Sequence, residues 1–316
     1  METLRSLKVV FMGTPEFAVP SLQRLLEKQI PVVGVVTGPD KPSGRGLHVQ
    51  PSPIKTLAMR AGLPILQPEK LRDPQFIASL VAWQAEVFVV VAFRILPPEV
   101  FTIPPQGTIN VHAALLPKYR GAAPIPWAII KGERETGVTT FFIEEKIDTG
   151  EIILQQKTPI GEFETAGELH DRLAVMGADL LIETLAQIAA GTVKRLPQIG
   201  EASLAPKISK DMAAIDWKKT AREIFNFIRA MNPVPGAFTT LQGRVLKIFR
   251  SHVLNEFSSG HTPGLVVRSN ASRGELVVQA GLGHLAIDEV QIEGKRRMPT
   301  ADFLRGHEIK TNEQLG

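Results

Sequence analysis

The sequence predicts an α/β protein in which a doubly wound, mostly parallel sheet is followed by a small β-barrel domain. The first observation is a β-α-β start: apolar strands at 7–12 and 32–36 flank a segment, 17–28, with helical spacing of its apolar residues. The second is a long amphipathic segment at 165–191 that ends at Gly191. The third is a series of short alternating runs after residue 237, which is typical of a small barrel.

The elements between these landmarks follow from the same apolar periodicity. In chain order they are helices 54–62 and 74–84, strands 87–92 and 108–112, helix 120–132, a β-hairpin over 138–157, helix 218–231, and strands 244–250, 264–268, 275–280 and 284–290. Residues 192–209 contain turn residues and little periodicity, so they are predicted to form a linker. The predicted domains are therefore 1–191 and 210–316.

The composition excludes several classes of protein. The chain has 316 residues, of which 44% are hydrophobic and 22% charged, as in ordinary globular proteins. It contains no Cys, which excludes disulfides, thiolate metal sites and a Cys nucleophile. The start, METLRSLKVVFMG, is typical of a first strand rather than a signal peptide, and no run of about 18 apolar residues is evident. We expect a cytoplasmic protein with no membrane partner.

Positive charge is concentrated in the second predicted domain. Residues 207–316 hold 16 Lys and Arg against 11 Asp and Glu, whereas residues 1–206 hold 20 against 21. The whole chain has a formal net charge of +4 and a pI of about 9.3. A basic second domain predicts contact with a polyanionic partner, although a balance of this size also lies within ordinary variation.

The turn after the first strand gives a weak signal for dinucleotide binding. It reads Gly13-Thr14-Pro15 and leads into the first helix. The G-x-G-x-x-G fingerprint is absent, and so is the acidic residue expected after the second strand. The sequence therefore argues against NAD binding.

The most informative stretch is 107–121, which reads GTINVHAALLPKYRG. Because side chains alternate along a strand, Asn110 and His112 lie on one face, while Ile109 and Val111 pack on the other. An amide beside an imidazole can donate hydrogen bonds to an oxygen that gains negative charge, and the imidazole can also move a proton. By themselves, two such residues at a strand end are more often a satisfied structural pair.

A carboxylate farther along the chain favours the catalytic alternative. Residues 137–153 form an apolar run that turns at Asp148-Thr149-Gly150. An Asp beside a Gly is usually a turn former. If this carboxylate reaches His112, however, it fixes the tautomer of the imidazole, as the acidic member of a hydrolase triad does.

These motifs resemble those of the folate-dependent formyltransferases. The resemblance rests on N-x-H-x-x-L-L-P, followed by Y-R-G-A-A-P and by G-V-T-x-F with a D-T-G farther on. It extends over nearly the whole chain and is most specific to the branch that formylates initiator methionyl-tRNA. The resemblance implies a formyltransferase domain with a Rossmann-like sheet and a second domain similar to an OB fold, which binds tRNA.

The resemblance also implies a reaction that belongs to translation initiation and one-carbon metabolism. The formyl group of the co-substrate 10-formyltetrahydrofolate passes to the amino group of methionine on the initiator tRNA. Asn110 and His112 are expected to stabilise the oxyanion, and Asp148 is expected to orient His112. No metal is expected, because the seven His residues are scattered without metal-ligand spacing.

The folate contacts implied by the resemblance lie in two segments, both of which depart from the family pattern. They are Phe93, Ile95 and Leu96, and Ala114, Leu115, Leu116 and Pro117. The family reads A-Y-G-x-I-L-P at the first segment, whereas this chain has Phe for Tyr and Arg94 for Gly and is one residue shorter. At the second, Ala113-Ala114 replaces the commoner Gly-Ser. A plain apolar turn is the alternative for Leu115-Leu116-Pro117.

The implied tRNA contacts are basic residues in two segments. Residues 37–53 form a long loop rich in Pro, Gly and Ser, and its Arg45 and Lys41 are expected to reach the tRNA acceptor end. An ordinary surface insertion is the alternative for this loop. Lys207, in the predicted linker, and Lys210, directly after it, are the second group.

Four other functions share parts of this pattern. The same catalytic residues would serve an enzyme that formylates glycinamide ribonucleotide or an amino-sugar nucleotide, or a hydrolase that releases formate. A non-catalytic RNA-binding protein is the alternative from a different class. The presence of a second domain argues against glycinamide ribonucleotide as the acceptor, and the G-R-G at 44–46 argues against an amino-sugar nucleotide. We expect the protein to act as a monomer.

Overall fold

The computed structural model describes residues 3–43, 48–257 and 260–316. The chain divides into two compact units. The first unit comprises residues 1–124, 135–159 and 170–205, and the second comprises 125–134, 160–169 and 206–316. The first unit therefore extends into the predicted linker, and the second unit takes residues from both sides of it.

The first unit contains a seven-stranded sheet. Its strands are β1 (Val9–Gly13), β2 (Val32–Val36), β5 (Ile65–Leu66), β6 (Val87–Val91), β7 (Thr108–His112), β8 (Glu135–Phe142) and β9 (Ile152–Pro159), and a separate two-stranded ribbon consists of β3 (Lys41–Ser43) and β4 (His48–Gln50). The order in the sheet is β5-β2-β1-β6-β7-β8-β9. The strands from β5 to β7 are parallel, and β8 and β9 are antiparallel additions at one side.

The helices of this part of the chain follow the strands in the order expected of an α/β fold. They are α1 (Val19–Glu27), α2 (Pro53–Arg60), α3 (Pro74–Ala82), α4 (Pro98–Phe101), α5 (Pro124–Ile130) and α6 (Ala166–Ala190). Ser52 and Asp73 begin α2 and α3, because their side chains accept hydrogen bonds from the first-turn N–H groups of Lys55 and Gln75. Pro at the first helical position then fixes the backbone for the helix.

Helix α6 packs on the central strands through a small residue. Gly177 is buried, and a Cβ added there would lie 2.8 Å from Val111 Cγ1 on β7. By length and apolar composition alone, α6 is the one helix in the described part of the chain that meets the criteria for crossing a membrane. Half of its most apolar window is buried inside the structure, as is typical of a core helix.

The second unit is built around an antiparallel sheet. Its elements are α7 (Ala221–Ala230), β10 (Ala237–Leu241), β11 (Arg244–Asn255), β12 (Val266–Asn270), β13 (Glu275–Gln279), β14 (His284–Ile292), β15 (Met298–Pro299) and α8 (Thr300–Gly306). The strand order is β10-β11-β14-β13-β12, and β15 pairs with β14. A capping box between Thr220 and Glu223 begins α7, whose apolar face contributes Ile224, Phe225 and Ile228 to the core.

The fold class predicted from the sequence is confirmed. The mostly parallel α/β sheet comes first and the antiparallel β domain second. The elements that were not predicted include the ribbon of β3 and β4 inside the segment expected to be a loop, strands β5, β10 and β15, and helices α4 and α8. The two strands of the ribbon, β5 and β15 are only two or three residues long and α4 is four, which is too short for a clear periodic signal.

The predicted linker makes regular contacts in the structure. The backbone groups of Leu196 and Ile152 exchange two hydrogen bonds, of 2.8 and 2.9 Å. Ser203 and Ala205 bond to the backbone of Arg120. Residues 192–205 consequently belong to the first compact unit. The domain boundaries 1–191 and 210–316, with a linker at 192–209, stay a prediction.

Replacing Gly177 with Leu should destabilise the protein. The new side chain would collide with Val111, and overpacking of this kind costs about 1–3 kcal/mol of unfolding free energy. The matched control is Gly306→Leu, because Gly306 is also helical but has open space around it. Urea unfolding followed by Trp fluorescence measures both. Equal stability of the two variants would contradict the close packing of α6 on β7.

Candidate active site

Asn110 and His112 lie at the carboxyl end of β7, in the middle of the sheet. In the register, Asn110 faces Val90 of β6 on one side and Phe141 of β8 on the other, and His112 faces Thr139. Asn110 is half-buried, whereas His112 is only 5% exposed. Ile109 and Val111 are buried on the opposite face, as the alternation predicted.

The imidazole of His112 is held on three sides. Its Nε2 donates to the carbonyl oxygen of Tyr119 at 2.9 Å. Its Nδ1 lies 3.7 Å from Asp148 Oδ2, and the ring meets Phe141 edge-on with 6.4 Å between centroids. The structure therefore brings His112 and Asp148 together, although they are far apart in the sequence.

Asp148 is held by a backbone group and a side chain from two other segments. Its Oδ2 accepts a hydrogen bond from the Gly121 N–H at 2.7 Å. Its own carbonyl oxygen, and that of Gly150, accept from Gln198 Nε2 at 2.9 and 2.8 Å. Asp148 adopts a left-handed φ of 53°, a conformation that non-Gly residues hold only when their surroundings impose it.

The geometry limits what each polar group can do. With Nε2–H bonded to Tyr119, a neutral His112 presents the lone pair of Nδ1 towards the Asp148 carboxylate, and a cationic His112 donates to both acceptors. Asn110 differs, because its carboxamide has no hydrogen-bond partner among the described residues and is not fully buried. Asn110 is thus the readier donor to a ligand.

The segment from Ala114 to Pro117 is held rigidly by strand side chains. Thr139 Oγ1 donates to Ala114 O at 2.7 Å and accepts from Leu116 N at 3.2 Å. Gln155 Nε2 donates to Leu116 O and to Thr139 Oγ1, both at 2.9 Å. The side chains of Ala114 and Leu116 are buried, and those of Leu115 and Pro117 are half-buried. The latter two are therefore the more accessible to a ligand.

The residues of the segment after β6 differ in how far their side chains are exposed. Ile95 is 70% exposed and Phe93 half-buried, whereas Leu96 is buried in the core. Arg94 lies over the ring of Phe93 and donates to the carbonyl oxygens of Pro68 and Glu69 at 2.7 and 3.0 Å. Desolvation lowers the pKa of this guanidinium. Arg94 consequently fixes the wall that the shortened segment forms.

A cavity of about 1030 Å³ opens beside this wall. Among its lining residues are Thr14 after β1, Gly38 after β2, Ser52 before α2, and Ala92 and Phe93 after β6. It therefore lies at the carboxyl ends of adjacent parallel strands, where open α/β sheets bind their ligands. Because β7 lies next to β6 and parallel to it, Asn110 and His112 at the carboxyl end of β7 lie at the same edge of the sheet.

Hydrogen bonds and an ion pair hold the two ends of the 37–53 segment, in which Lys41 and Arg45 are the predicted tRNA contacts. Asp40 pairs with Lys55 Nζ at 2.5 Å and accepts from Gln67 Nε2 at 2.8 Å, and these two hydrogen bonds lower the pKa of the Asp40 carboxyl. Thr37 and Ser52 share a hydrogen bond of 2.7 Å. Arg45 lies outside the described residues, and Lys41 is described only as a backbone position in β3.

The remaining predicted residues lie in the second unit. Lys207 and Lys210 are exposed, and among the described residues neither has an ion pair or hydrogen bond from its ammonium group. In the described ranges, no group of three or more His, Asp or Glu residues is arranged to hold a metal ion. Four residues that contact the site were not predicted as site residues. Tyr119 and Gly121 lie in the quoted Y-R-G-A-A-P motif but act through backbone groups, whereas Gln155 and Gln198 act through their side-chain amides and lie in no quoted motif.

Comparison with known proteins identifies the family. The family described as Formyl transferase matches residues 7–185, and that described as Formyl transferase, C-terminal domain, matches residues 207–308. A methionyl-tRNA formyltransferase of Pelotomaculum thermopropionicum is 50% identical over 311 residues, which cover 98% of this chain and 99% of that protein. The chain belongs to the methionyl-tRNA formyltransferase family. The resemblance seen in the sequence and the enzyme class are both confirmed.

Two solved structures resemble the chain at lower identity. WlaRD, a sugar 3N-formyl transferase determined in the presence of dTDP and 5-N-formyl-THF, is 25% identical with a TM-score of 0.65, covering 92% of this chain and 99% of that one. HypX from Aquifex aeolicus, in complex with tetrahydrofolic acid, is 18% identical with a TM-score of 0.62. The match covers 94% of this chain but 46% of HypX, so the chain spans about half the length of HypX, and this likeness shows the fold alone.

Replacing Thr139 with Val should loosen the 114–117 segment. The isosteric change leaves Leu116 N and Ala114 O without their buried partner, so the free energy of unfolding should fall by about 1–3 kcal/mol. Thr240→Val is the matched control, because Thr240 is also a strand residue, is half-buried, and its hydroxyl makes no hydrogen bond among the described residues. Thermal unfolding measures both. A Thr139 variant as stable as the control would contradict the role of this hydroxyl.

Proposed function

We propose that the protein transfers the formyl group of 10-formyltetrahydrofolate to the methionyl amino group of initiator methionyl-tRNA. The observation that carries this proposal is the convergence of Asn110, His112 and Asp148 at the sheet edge that also borders the cavity. Membership of the methionyl-tRNA formyltransferase family supports the acceptor. The formyl-folate in the structure of WlaRD supports the donor.

The proposed reaction is a direct attack of the uncharged amine on the formyl carbon. A new carbon–nitrogen bond forms, and the formyl oxygen becomes an oxyanion. The bond between the formyl carbon and the folate nitrogen then breaks, and the proton lost by the amine goes to that nitrogen. The products are formyl-methionyl-tRNA and tetrahydrofolate, with no covalent enzyme intermediate.

Asn110 is proposed to stabilise the oxyanion. Its carboxamide offers two N–H donors that have no other partner among the described residues, and its strand position is fixed on both sides. Donors that are already in position gain strength where charge develops, and loss of one typically costs ~10²–10³ in rate. A rigid central strand is a suitable support for such a donor.

His112 and Asp148 are proposed to share the proton transfer. His112 Nε2–H donates to the carbonyl oxygen of Tyr119, so a formyl oxygen that bound to this N–H would compete with that carbonyl. Asp148 holds the opposite ring nitrogen and stabilises the imidazolium that forms when His112 takes a proton. Asp148 also remains available to carry the proton of the amine, directly or through water.

The folate is proposed to lie against Phe93, Ile95, Leu115 and Pro117. These residues combine exposure with a rigid backbone, since Arg94 fixes the first segment and Thr139 fixes the second. Leu96, Ala114 and Leu116 bury their side chains, so their contacts would come from backbone groups. Monomeric state, cytoplasmic location and independence of metals stay predictions.

Replacing Asp148 with Asn should abolish most of the activity without unfolding the protein. Asn keeps the shape of the turn but loses the carboxylate that faces His112, so kcat should fall by roughly 10²–10⁴. The assay measures formyl incorporation into charged initiator tRNA with 10-formyltetrahydrofolate as donor. The control is Asp171→Asn, an exposed site on α6. Full turnover in a folded Asp148 variant would reject its catalytic role.

Neutralising the proposed tRNA contacts should weaken tRNA binding while leaving the chemistry intact. Arg45→Ala and the double variant Lys207→Ala/Lys210→Ala should raise KM for tRNA, because each cation lost removes a phosphate contact. The salt dependence of tRNA binding should also become shallower, by about one unit of slope per lysine. Lys310→Ala is the control. Unchanged salt dependence would reject Lys207 and Lys210 as phosphate contacts.

A sugar-nucleotide acceptor is the second candidate, because the similarity to WlaRD covers 99% of that chain. The same assay separates the two, with an amino-sugar nucleotide offered in place of charged tRNA. Transfer to the sugar nucleotide and none to tRNA would replace the proposed acceptor.

A further inference from the structure

Gln198 is the only residue of the described 196–200 segment whose side chain is not largely exposed. Its carboxamide makes hydrogen bonds in both directions. The Nε2 donates to the carbonyl oxygens of Asp148 and Gly150, at 2.9 and 2.8 Å. The Oε1 accepts from Arg120 Nη2 at 2.6 Å and from Arg120 Nε at 3.2 Å. One side chain therefore links the backbone of the Asp148 turn to the side chain of Arg120.

The Asp148 turn and the segment that contains Arg120 both hold the His112–Asp148 pair. The turn at Asp148 supplies the carboxylate, and Asp148 itself has a left-handed backbone conformation. Arg120 lies between Tyr119, whose carbonyl accepts from His112, and Gly121, whose N–H donates to Asp148 Oδ2. A shift of either segment relative to the other would change the 3.7 Å separation between His112 Nδ1 and Asp148 Oδ2.

Gln198 is itself fixed at both ends of its segment. Upstream, the backbone groups of Leu196 and Ile152 exchange two hydrogen bonds. Downstream, Ser203 Oγ accepts from Tyr119 N at 2.9 Å, and Ser203 O accepts from Arg120 N at 2.9 Å. Because its backbone is held on both sides, Gln198 can hold the Asp148 turn in place through its side chain.

We propose that Gln198 is a positioning residue for formyl transfer, which acts by holding the Asp148 turn against the 119–121 segment. The proposal rests on the proposed catalytic role of Asp148. Glutamine suits this position because one end of its side chain must donate to two carbonyls while the other accepts from a guanidinium. It acts through Asp148 and His112 and does not touch the substrate.

The donor and acceptor roles can be separated by substitution. Gln198→Glu keeps an acceptor for Arg120 but turns an oxygen towards the Asp148 and Gly150 carbonyls, while Gln198→Leu removes both functions. Because the turn depends on the donation, both variants should lower kcat by roughly 10- to 100-fold. The KM for folate and the KM for tRNA should change little. Gln75→Leu, at an exposed site on α3, is the matched control.

A measurement independent of activity tests the same geometry. Amide hydrogen exchange at Gly121 reports its bond to Asp148 Oδ2, and protection there should fall by roughly tenfold in Gln198→Leu while core strand amides keep theirs. The loss of kcat should also be absent when Gln198→Leu is added to Asp148→Asn, because the two changes act through one group.

The outcomes separate this inference from the proposed function. Absence of formyl transfer by the wild-type protein would overturn the proposed function, whereas exchange at Gly121 would still report the positioning. Wild-type transfer with unchanged kcat and unchanged Gly121 protection in Gln198→Leu would overturn the positioning role. A raised KM for tRNA with normal kcat would assign Gln198 to tRNA binding instead.

Discussion

The hydrogen bond from the Gly121 N–H to the Asp148 carboxylate is the contact on which the rest of the site depends. It joins the segment after β7 to the connection between β8 and β9, which the sheet alone leaves free to move. Because Tyr119 lies in the same short segment and accepts from His112, this bond also sets the distance between imidazole and carboxylate. The central strand fixes Asn110 and His112, and this contact brings the third group to them.

The arrangement explains why the first compact unit continues past α6. Residues 196–205 add a strand-like pairing at Leu196 with Ile152 and a second at Leu204 with Arg120, so the site is complete only when this segment is in position. The last part of the second unit begins immediately afterwards, at residue 206, and includes Lys207 and Lys210.

The apolar pattern was sufficient where an element is buried along its length. Strands β1, β2, β6 and β7 were recognisable as continuous β-branched runs, which are buried on both faces, and α6 was recognisable by the helical spacing of its apolar residues. Residues 192–205 have no regular apolar pattern, and their contacts are backbone and polar hydrogen bonds to residues distant in the chain. Hydropathy does not reveal contacts of this kind, so the sequence alone could not predict them.

The sequence by itself determined the fold class, the family and the pairing of Asn110 with His112, because strand alternation is a local property that two residues of spacing reveal. Only the tertiary structure decided which groups surround that pair. Gly121 and Asp148 are separated by 27 residues, and Gln198 and Asp148 by 50, in the chain. Such contacts depend on how segments distant in the chain pack together, and no local pattern in a single sequence reveals that packing.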